Sequence, residues 1–599
     1  MKLSDYTMAF LADQGVKHVF MLPGGGAMHL NDSLGRCPGL EFVAMQHEQA
    51  AAIAAEAHAR VTNRLSACLV TTGPGGTNAV TGVSAAWLDS TPVLFLSGQV
   101  KRPDLKGGTG LRQLGVQETD IVSIVTPITK YAVTVVEPAT IRYHLEKAAY
   151  LARIGRPGPV WIDVPLDVQV AEIEPSQLAA FIPNELKRPW EHVPMLALAR
   201  QAIRLLNDSE RPVILVGNGL RLAGGEALFQ NLVDQLNIPV LTTRLGVDLL
   251  PANHPLCFGM PGGIASRAAN FTLQNCDFLL ILGARLDMAL IAYAPERLAR
   301  GAKKVMVNID PAEIGKLGPI IDVAVEGDAN LFLESIQTLS NEVQTRNWEH
   351  WISRCRDWQV RYPFVSPEHL AERRGVSLYA FSDILAGELV EGDIVLPGSA
   401  GFVAEIFLTA FKCKPRQRVF HNKGTGSMGL SQPAAIGACL AGGNCRTIAI
   451  DGDGGFTMNI QELETVRRLK LPIKFFVINN GGYASIRNSQ RTYFGRLTGA
   501  DETSGLSLPD YVKVAESYGI SARRLSNPET LRDDLRDVLE LEGPVVCEVI
   551  VLADEPRVPR VASAQRPDGS IVSKPLEDMY PFLERREFLE NMLVPAIEE

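Results

Sequence analysis

The chain has 599 residues, 46% of them hydrophobic, with 52 glycines and a formal net charge of −9 at pH 7. This length favours three domains over a single core, and the negative charge argues against nucleic acid or an anionic membrane surface as the main partner. Nine cysteines without a CxxC pair predict neither a disulfide framework nor a zinc site. No apolar run approaches about 18 residues, and the amino terminus indicates an amphipathic helix instead of a signal peptide, so we expect a cytoplasmic protein without a membrane span.

Apolar segments alternate with helical stretches in residues 1–170, the predicted first domain. The segments are HVFML, LEFVAM, SACLVTT, TPVLFLSG and GPVWIDVP. Their alternation predicts a doubly wound parallel sheet and therefore an α/β fold. Two glycine-rich loops, at residues 23–26 and 73–78, follow predicted strands and allow the backbone to approach a ligand closely. Neither loop matches a Walker or Rossmann motif, so phosphate binding is only one of the options.

A second parallel sheet is predicted in the middle domain, residues 191–340. Residues 171–190 precede it as a linker, because they are rich in proline and charge without periodicity. The four predicted strands lie in RPVILVGNGL, IPVLTT, CDFLLILG and KVMVNID. Gly217-Asn218-Gly219 after the first strand is only a partial dinucleotide fingerprint. A charged linker helix is expected in residues 341–375.

The third predicted domain, residues 376–553, contains a strand, a helix and a strand between Ile448 and Asn488. The first strand ends in residues 451–454, DGDG, and the second in residues 479–482, NNGG. Both polar clusters should lie at the same carboxyl edge of a parallel sheet. Their carboxylate, amide and carbonyl oxygens suit a Mg²⁺ that also binds phosphate. We expect residues 554–599, which carry many prolines and charges and few core residues, to form a lid over this edge.

These motifs resemble the signature of the thiamine diphosphate (ThDP) enzymes. GDG, then residues 455–478, then NN matches the spacing of that family, and MQHEQAAAIAAEAHAR resembles its HEQ motif. The resemblance implies that Asp453, Asn480 and the Gly482 carbonyl hold the Mg²⁺ that anchors the diphosphate of ThDP. It also implies that Glu48 protonates the aminopyrimidine ring, which favours loss of the thiazolium C2 proton. Without the resemblance, a glutamate at a helix start is commonly just a partner of the helix dipole.

Further segments, among them PGGGAMHLND, TTGPGGTNAV and GVQETDIV, are similar to the large catalytic subunit of acetolactate synthase. That family pairs the pyrimidine domain of one subunit with the diphosphate domain of another, so we expect a homodimer with its active sites at the interface; a tetramer stays open. The resemblance adds Gln117 and Gly25 as catalytic positions. It implies that ThDP contacts Thr72, Gly73, Asn78, Gly398, Ser399, Gly426, Met428, Gly452, Gly454, Gly455 and Tyr483. Met428 would support the bent cofactor, although a methionine more often fills a core.

The middle domain resembles the part of acetolactate synthases that binds FAD, a flavin without a redox role in their net reaction. By this resemblance the flavin contacts are Arg156, Gly217, Thr243, Gly259, Arg285, Asp310 and Asp328. Asp310 and Arg285 could instead be a strand-end cap and a surface ion pair. The second arginine of the family's R-F-D-D-R motif is Ala289 here, so FAD is expected but not required.

The acceptor side departs from acetolactate synthase. Ser489 stands where the family has a tryptophan, Val116 where it has a phenylalanine, and Ala289 where it has an arginine. The loss of bulk and of a cation favours a ketone over a second pyruvate as acceptor, with His29 and Tyr483 as candidates for steering the acceptor oxygen. The chain is most similar to carboligases of the yersiniose type, which transfer a two-carbon unit from pyruvate to the 4-keto group of a nucleotide-linked deoxysugar. Acetolactate synthase and a catalytically silent ThDP-binding subunit remain as alternatives.

Overall fold

The chain folds around three parallel sheets whose strands alternate with helices, which confirms the predicted α/β fold class. The computed structural model describes residues 1–183, 190, 193–344, 346–398, 401–565 and 571–597. The three sheets lie inside the predicted ranges 1–170, 191–340 and 376–553; the domain boundaries themselves stay a prediction. In the described parts of the chain, no helix combines the length and apolar character that crossing a bilayer requires.

The first sheet has six parallel strands in the order β2-β1-β3-β4-β6-β5. The strands are β1 (His18–Met21), β2 (Glu41–Ala44), β3 (Ser66–Val70), β4 (Val93–Gln99), β5 (Tyr131–Thr134) and β6 (Val160–Pro165). Its helices are α1 (Leu3–Asp13), α2 (Met28–Arg36), α3 (Glu48–Thr62), α4 (Pro74–Leu88), α5 (Ile121–Val125), α6 (Ile141–Arg153) and α7 (Leu166–Gln169). The strand order changes direction between β1 and β3, and ligands of such sheets bind beside this point, outside the carboxyl ends of the strands.

The middle sheet has five parallel strands in the order β11-β10-β9-β7-β8. The strands are β7 (Pro212–Val216), β8 (Val240–Thr242), β9 (Phe278–Leu282), β10 (Lys303–Asn308) and β11 (Val323–Glu326). The helices of this region are α8 (Met195–Asn207), α9 (Gly219–Leu222), α10 (Glu226–Leu236), α11 (Arg267–Gln274), α12 (Pro311–Gly315), α13 (Ala329–Thr338), α14 (Glu349–Arg361) and α15 (Pro367–Ala371).

The third sheet has six parallel strands in the order β13-β12-β14-β15-β17-β16. The strands are β12 (Ile394–Pro397), β13 (Arg418–Val419), β14 (Thr447–Gly452), β15 (Ile473–Asn479), β16 (Ser521–Leu525) and β17 (Val545–Ile550). Its helices are α16 (Leu378–Glu388), α17 (Phe402–Ala410), α18 (Ser431–Ala441), α19 (Asp453–Thr457), α20 (Leu463–Leu469), α21 (Ala484–Phe494), α22 (Tyr511–Ser517) and α23 (Leu531–Glu540). Because β14 and β15 are neighbours, the DGDG and NNGG segments do meet at one edge.

Helix α3 lies between the first and third sheet domains and is buried along almost its whole length. Glycines on the flanking helices make room for its backbone. A Cβ atom on Gly82 of α4 would lie 2.9 Å from the Ala52 carbonyl carbon, and one on Gly437 of α18 would lie 2.7 Å from the Ala54 carbonyl carbon. Real Cβ atoms essentially never come within 3.0 Å of another heavy atom, so α3 is held between two backbones.

The carboxyl-terminal segment returns to the middle domain. It contains β18 (Arg560–Val561), β19 (Ser563–Gln565), β20 (Ile571–Ser573), β21 (Met579–Tyr580) and α24 (Arg585–Glu590). Leu576 and Phe588 are buried in the core of the middle domain, and Asn275 Nδ2 donates to the Asn591 carbonyl at 3.1 Å. The segment therefore supplies more core than its composition indicates, and its role as a lid stays a prediction.

Candidate active site

Asp453 is the first side chain after β14 and organises the edge of the third sheet. Its Oδ2 atom accepts the N–H groups of Asn480 at 3.1 Å and Gly482 at 2.9 Å, and its Oδ1 atom accepts the N–H of Gly454 at 2.7 Å. Burial raises the pKa of Asp453, while the N–H groups of Gly482, Gly454 and Asn480 act in the opposite direction. The three predicted metal ligands, Asp453, Asn480 and Gly482, therefore lie together.

The Asn480 side chain carries an oxygen that has no protein partner. Asn480 is buried, and its Oδ1 atom makes no hydrogen bond to any described residue. Such an atom costs free energy unless a ligand or ion pairs with it. Hard oxygen donors from a carboxylate, an amide and a backbone carbonyl fit Mg²⁺. No group of three or more His, Cys, Asp or Glu side chains in the described part of the chain could hold a metal.

Gly454 of the DGDG segment and the neighbouring Gly398 and Gly455 lie where side chains pass close to the backbone. A Cβ on Gly454 would lie 2.7 Å from Cδ1 of Tyr483, and Cβ atoms on Gly398 and Gly455 would lie 2.5 and 2.6 Å from Oδ1 of Asp451. Gly452 has more room, with Val403 Cγ2 at 3.7 Å as the nearest atom. Ser399, the remaining predicted contact on this side, lies outside the described residues.

Glu48 is the first residue of α3 and is buried. His47 caps the helix by accepting the Gln49 N–H at 3.1 Å, so the Glu48 carboxylate is not used as a cap. Its Oε2 atom instead accepts a hydrogen bond from Asn78 Nδ2 of α4 at 2.9 Å. The structure thus brings together two predicted residues of the pyrimidine site.

Gln117 lies in the loop between β4 and α5, against the turn between β3 and α4 that contains Thr72 and Gly73. Its carbonyl accepts a bond from Thr72 Oγ1 at 3.3 Å, and a Cβ on Gly73 would lie 2.6 Å from the same oxygen. The backbone of Gln117 is in the left-handed region, with φ 65°, which is uncommon for a residue other than glycine. Gly25, in contrast, is exposed and has no atom within 4 Å of its Cβ position.

The loop before α18 contains the predicted contacts Gly426 and Met428. Asn422 Oδ1 accepts the Gly426 N–H at 3.3 Å, while Asn459 Nδ2 donates to the Gly429 carbonyl at 2.6 Å and to Gln49 Oε1 at 3.1 Å. Asn459 therefore links the methionine loop to the residue after Glu48. The sequence predictions missed this link, since only the fold brings residues 49, 429 and 459 together.

Two buried polar residues at the start of the same loop were also missed. Both ring nitrogens of His421 and the Nδ2 atom of Asn422 have no partner among the described residues. Burial, followed by the cations Arg244, Lys423 and Arg60, lowers the pKa of His421 well below its usual value. A neutral imidazole in this place is an available donor and acceptor for a bound group.

A cavity of about 380 Å³ lies between the middle domain and the two others. Four predicted flavin contacts line it: Arg156, Thr243, Arg285 and Asp328. Three do not. Asp310 accepts a bond from Arg156 Nη1 at 2.7 Å, Gly217 packs against the lining residue Ala284, and Gly259 accepts the Thr242 N–H at 3.0 Å.

The alternatives considered for Asp310 and Arg285 also describe real contacts. Asp310 caps α12 through the Ala312 N–H at 3.0 Å, and Arg285 Nε pairs with Glu313 at 2.8 Å. Arg156 pairs with the same Glu313 carboxylate at 3.0 Å. Burial acts to raise the pKa of Glu313, but Lys316, Arg285 and Arg156 hold it below its usual value. Two arginines of the cavity are thus already paired with a carboxylate.

The positions that depart from acetolactate synthase have small or open surroundings. Ser489 donates to the Ser485 carbonyl at 2.9 Å, Val116 is 87% exposed, and Ala289 lines the cavity of the middle domain. Tyr483 lies over Gly454, close to the predicted metal ligands, while His29 lies half-buried on α2.

Family models for the three parts of a thiamine pyrophosphate enzyme match the chain. The N-terminal TPP binding domain matches residues 1–124, the central domain residues 199–336, and the C-terminal TPP binding domain residues 399–549. The match to both binding domains agrees with the positions of Glu48 and Asp453 on the first and third sheets.

Acetolactate synthases resemble the chain over nearly its whole length. The large subunit from Lactococcus lactis is 33% identical over 580 residues, which is 95% of this chain and 96% of that protein. The probable large subunit from Methanocaldococcus jannaschii is 32% identical over 571 residues, 92% of each chain. Acetolactate synthase 1 from Zea mays, a chloroplast protein, is 33% identical over 585 residues, 94% of this chain and 87% of that one.

Proposed function

Because the chain belongs to the thiamine pyrophosphate enzyme family, with acetolactate synthase large subunits as relatives, we propose that it is a carboligase that decarboxylates pyruvate and joins the two-carbon product to a second carbonyl compound. The observation that carries the proposal is the meeting of Asp453, Asn480 and Gly482 at one sheet edge, where a buried amide oxygen has no hydrogen-bond partner among the described residues. Such a site fits a metal-bound diphosphate.

Asp453, Asn480 and the Gly482 carbonyl would hold Mg²⁺ and, through it, the diphosphate of ThDP. Bound there, ThDP would supply the nucleophilic carbon that decarboxylation of a 2-oxo acid requires. Within the described part of the chain, the Gly482 carbonyl accepts only the Ala484 N–H, at 3.1 Å, which leaves one of its lone pairs for a metal ion. Tyr483, packed on Gly454, fixes the main chain between these ligands.

Glu48 holds the proton that the aminopyrimidine ring needs. Its burial excludes water, and Asn78 orients the carboxylate through the 2.9 Å hydrogen bond. Proton transfer by a positioned group of this kind contributes about 10²–10⁴-fold to a rate. Gln117 is an exposed residue of the loop that packs against the Thr72 turn through its carbonyl, and it is proposed as a second catalytic residue on this side of the site.

A second molecule of pyruvate is the acceptor that the relatives favour, since their printed names describe acetolactate synthesis. A ketone acceptor, such as the 4-keto group of a nucleotide-linked deoxysugar, is the second candidate. Its support is the short side chain of Ser489 and the open surface at Val116, which leave room that the bulkier family residues would fill.

FAD is proposed as a second cofactor of the middle domain. The cavity contains four of the residues expected to bind it, and glycine backbone from Gly219 and Gly283 adds small contact surfaces. Glu313 competes for the arginines, so a flavin diphosphate would have to displace or share these ion pairs. The flavin absorbance of gently purified protein measures how much FAD is bound, and it should be lower in an Arg285→Ala variant. A colourless wild-type protein would contradict the proposed FAD binding.

A homodimer with shared active sites is proposed from the relatives' pairing of domains. Glu48→Gln should inactivate the enzyme, and Asn480→Ala should do so at a limiting Mg²⁺ concentration. A mixture of the two, refolded or exchanged together, should regain activity at that Mg²⁺ concentration, because some interfaces then combine two intact halves. Sedimentation would give the dimer or tetramer mass. A mixture that stays inactive, although its subunits exchange, would place both residues in the site of one chain.

The test of the proposed function is product analysis of purified protein with ThDP, Mg²⁺, FAD and labelled pyruvate, with and without a ketone. Rapid acetolactate from pyruvate alone supports the acetolactate synthase activity. Slow acetolactate, with a tertiary alcohol once the ketone is added, supports the second candidate. If no CO₂ is released from pyruvate in either case, the protein is not a carboligase, and the alternative of a catalytically silent ThDP-binding subunit is favoured.

A matched pair of variants makes the product analysis specific. Glu48→Gln should abolish CO₂ release, whereas Glu137→Gln, an exposed glutamate of the same domain, should not. Equal activity in both variants would mean that the observed CO₂ comes from a contaminating enzyme or from chemistry without Glu48.

A further inference from the structure

Asp163 of β6 is a buried carboxylate with three side-chain donors. It accepts hydrogen bonds from Ser97 Oγ at 2.5 Å, Thr134 Oγ1 at 3.0 Å and Gln99 Nε2 at 3.2 Å. Its side chain is 1% exposed, and burial raises its pKa to about 7, against the effect of the three donors. No residue given a role in the proposed mechanism contacts Asp163 directly.

Gln99 connects Asp163 to Thr72, on the turn between β3 and α4, and to Thr119, in the loop before α5. Its Nε2 atom also donates to the Thr119 carbonyl at 2.9 Å, and its Oε1 atom accepts Thr72 Oγ1 and the Val100 N–H, both at 2.9 Å. Acceptors thus surround the amide nitrogen and donors surround the amide oxygen. Rotating the amide by 180° would bring donors against donors, so the network fixes its orientation.

Thr72 and Gln99 both contact the loop between β4 and α5, which carries the left-handed backbone of Gln117. Thr72 Oγ1 lies 3.3 Å from the Gln117 carbonyl, and Gln99 bonds the Thr119 carbonyl two residues later. A left-handed residue other than glycine persists only where its surroundings fix it. Here Gln99 contacts the loop on both sides of Glu118: it bonds the Thr119 carbonyl directly and the Thr72 hydroxyl that lies against the Gln117 carbonyl.

We propose that Gln99 and Asp163 are positioning residues, which set the backbone of residues 117–119 and thereby aim the Gln117 side chain into the pyrimidine side of the active site. Thr72 itself lies on the turn before α4, whose Asn78 orients Glu48, so the network contacts the surroundings of both catalytic candidates. Asp163 supplies the acceptor that keeps Gln99 in one orientation. The inference rests on the proposed function for the role of Gln117, but not for the geometry of the network.

The test compares Gln99→Met, which keeps the volume and removes all four hydrogen bonds, with Asp322→Asn, a carboxylate at the edge of the middle sheet. Amide hydrogen exchange of residues 113–120 is measured in the cofactor-free protein, followed by kcat for CO₂ release and the affinity for ThDP with Mg²⁺. For Gln99→Met we expect exchange at least tenfold faster, kcat lower by about 10- to 100-fold, and ThDP affinity within twofold, since the diphosphate lies on another domain. Asp322→Asn should change none of the three.

Unchanged exchange and kcat in Gln99→Met would overturn the inference. If Gln99→Met does not fold, Asp163→Asn, which still offers an oxygen to Gln99, is used instead, with the same directions and a smaller size expected; no change there overturns it equally. Faster exchange in Gln99→Met, together with a wild-type protein that releases no CO₂, would support the network and refute the proposed function alone.

Discussion

The contact between α3 and α18 allows a sharp test, because a single methyl group is enough to disturb it. Gly437→Ala would place a carbon 2.7 Å from the Ala54 carbonyl carbon and closer still to its oxygen. Ordinary contact begins at 3.4 Å, so the first distance alone is 0.7 Å too short. The neighbours are main-chain atoms of a buried helix, which cannot rotate away, and α3 must therefore move by about 1 Å.

The expected loss of stability is the difference of two terms. Overpacking of this kind costs about 1–3 kcal/mol, while alanine in place of a helical glycine returns about 0.5–1 kcal/mol, which leaves a net loss centred on about 1 kcal/mol and no larger than about 2.5 kcal/mol. The effect on turnover is larger. Glu48 begins α3, and a misplacement of about 1 Å in a catalytic group can cost roughly 10²-fold in rate.

Denaturant unfolding and kcat for CO₂ release measure the two effects. Gly35→Ala is the control, because Gly35 also lies in a helix, α2, but has no atom within 4 Å of its Cβ position; it should be neutral or stabilise the protein by about 0.5–1 kcal/mol. If Gly437→Ala behaves like Gly35→Ala in both measurements, α3 is not held by α18 and the reasoning is wrong.

Four further outcomes are expected. Glu48→Gln should lower CO₂ release by about 10²–10⁴-fold while ThDP binding, followed by fluorescence titration, is retained; unchanged turnover would remove Glu48 from the mechanism. Asn480→Ala should raise the Mg²⁺ concentration needed for half-maximal ThDP binding about tenfold, and an unaltered titration would contradict the metal site. Burial, followed by His18 and Lys17, lowers the pKa of His58 from 6.5 to about 4, so the unfolded chain takes up a proton before the folded chain does as the pH falls. About 3 kcal/mol of folding stability should therefore be lost between pH 6.5 and 4. In denaturant titrations at several pH values, His58→Gln should reduce this dependence of stability on pH, and an equal dependence in the variant would refute the assignment to His58. Ser489→Trp should reduce the ketone adduct at least tenfold and spare acetolactate formation, whereas equal loss of both products would mean that residue 489 does not distinguish acceptors.

The sequence predicted most of the strands that have continuous apolar runs, although the buried strand β17 was missed. The central strands β3, β4, β9 and β15 are fully buried or nearly so, and each was predicted. The edge strands β5, β11 and β16 were not, because a strand with one free edge keeps exposed or half-buried residues and has no such run. Apolar pattern reports burial, and burial falls at the edges of a sheet.

The site was predictable where its residues follow strand ends and not where they meet across the fold. Asp453 and Asn480 could be placed together because a strand, helix and strand bring two consecutive strand ends to one edge. The contact of Gln99 with Asp163 spans 64 residues and depends on β4 lying next to β6, an order that no local pattern contains. The same holds for Asn459 and Gln49, which are 410 residues apart.

The return of the carboxyl-terminal segment to the middle domain has a consequence for synthesis on the ribosome. The last strand of the middle sheet ends at Glu326, but Phe588, which is buried in the core of that domain, emerges 262 residues later. At about 5–20 residues per second, the middle domain waits for roughly 13 to 50 seconds with part of its apolar surface uncovered. Nascent chains stalled within this interval should bind chaperones through the middle domain, and release of the completed tail should end that binding.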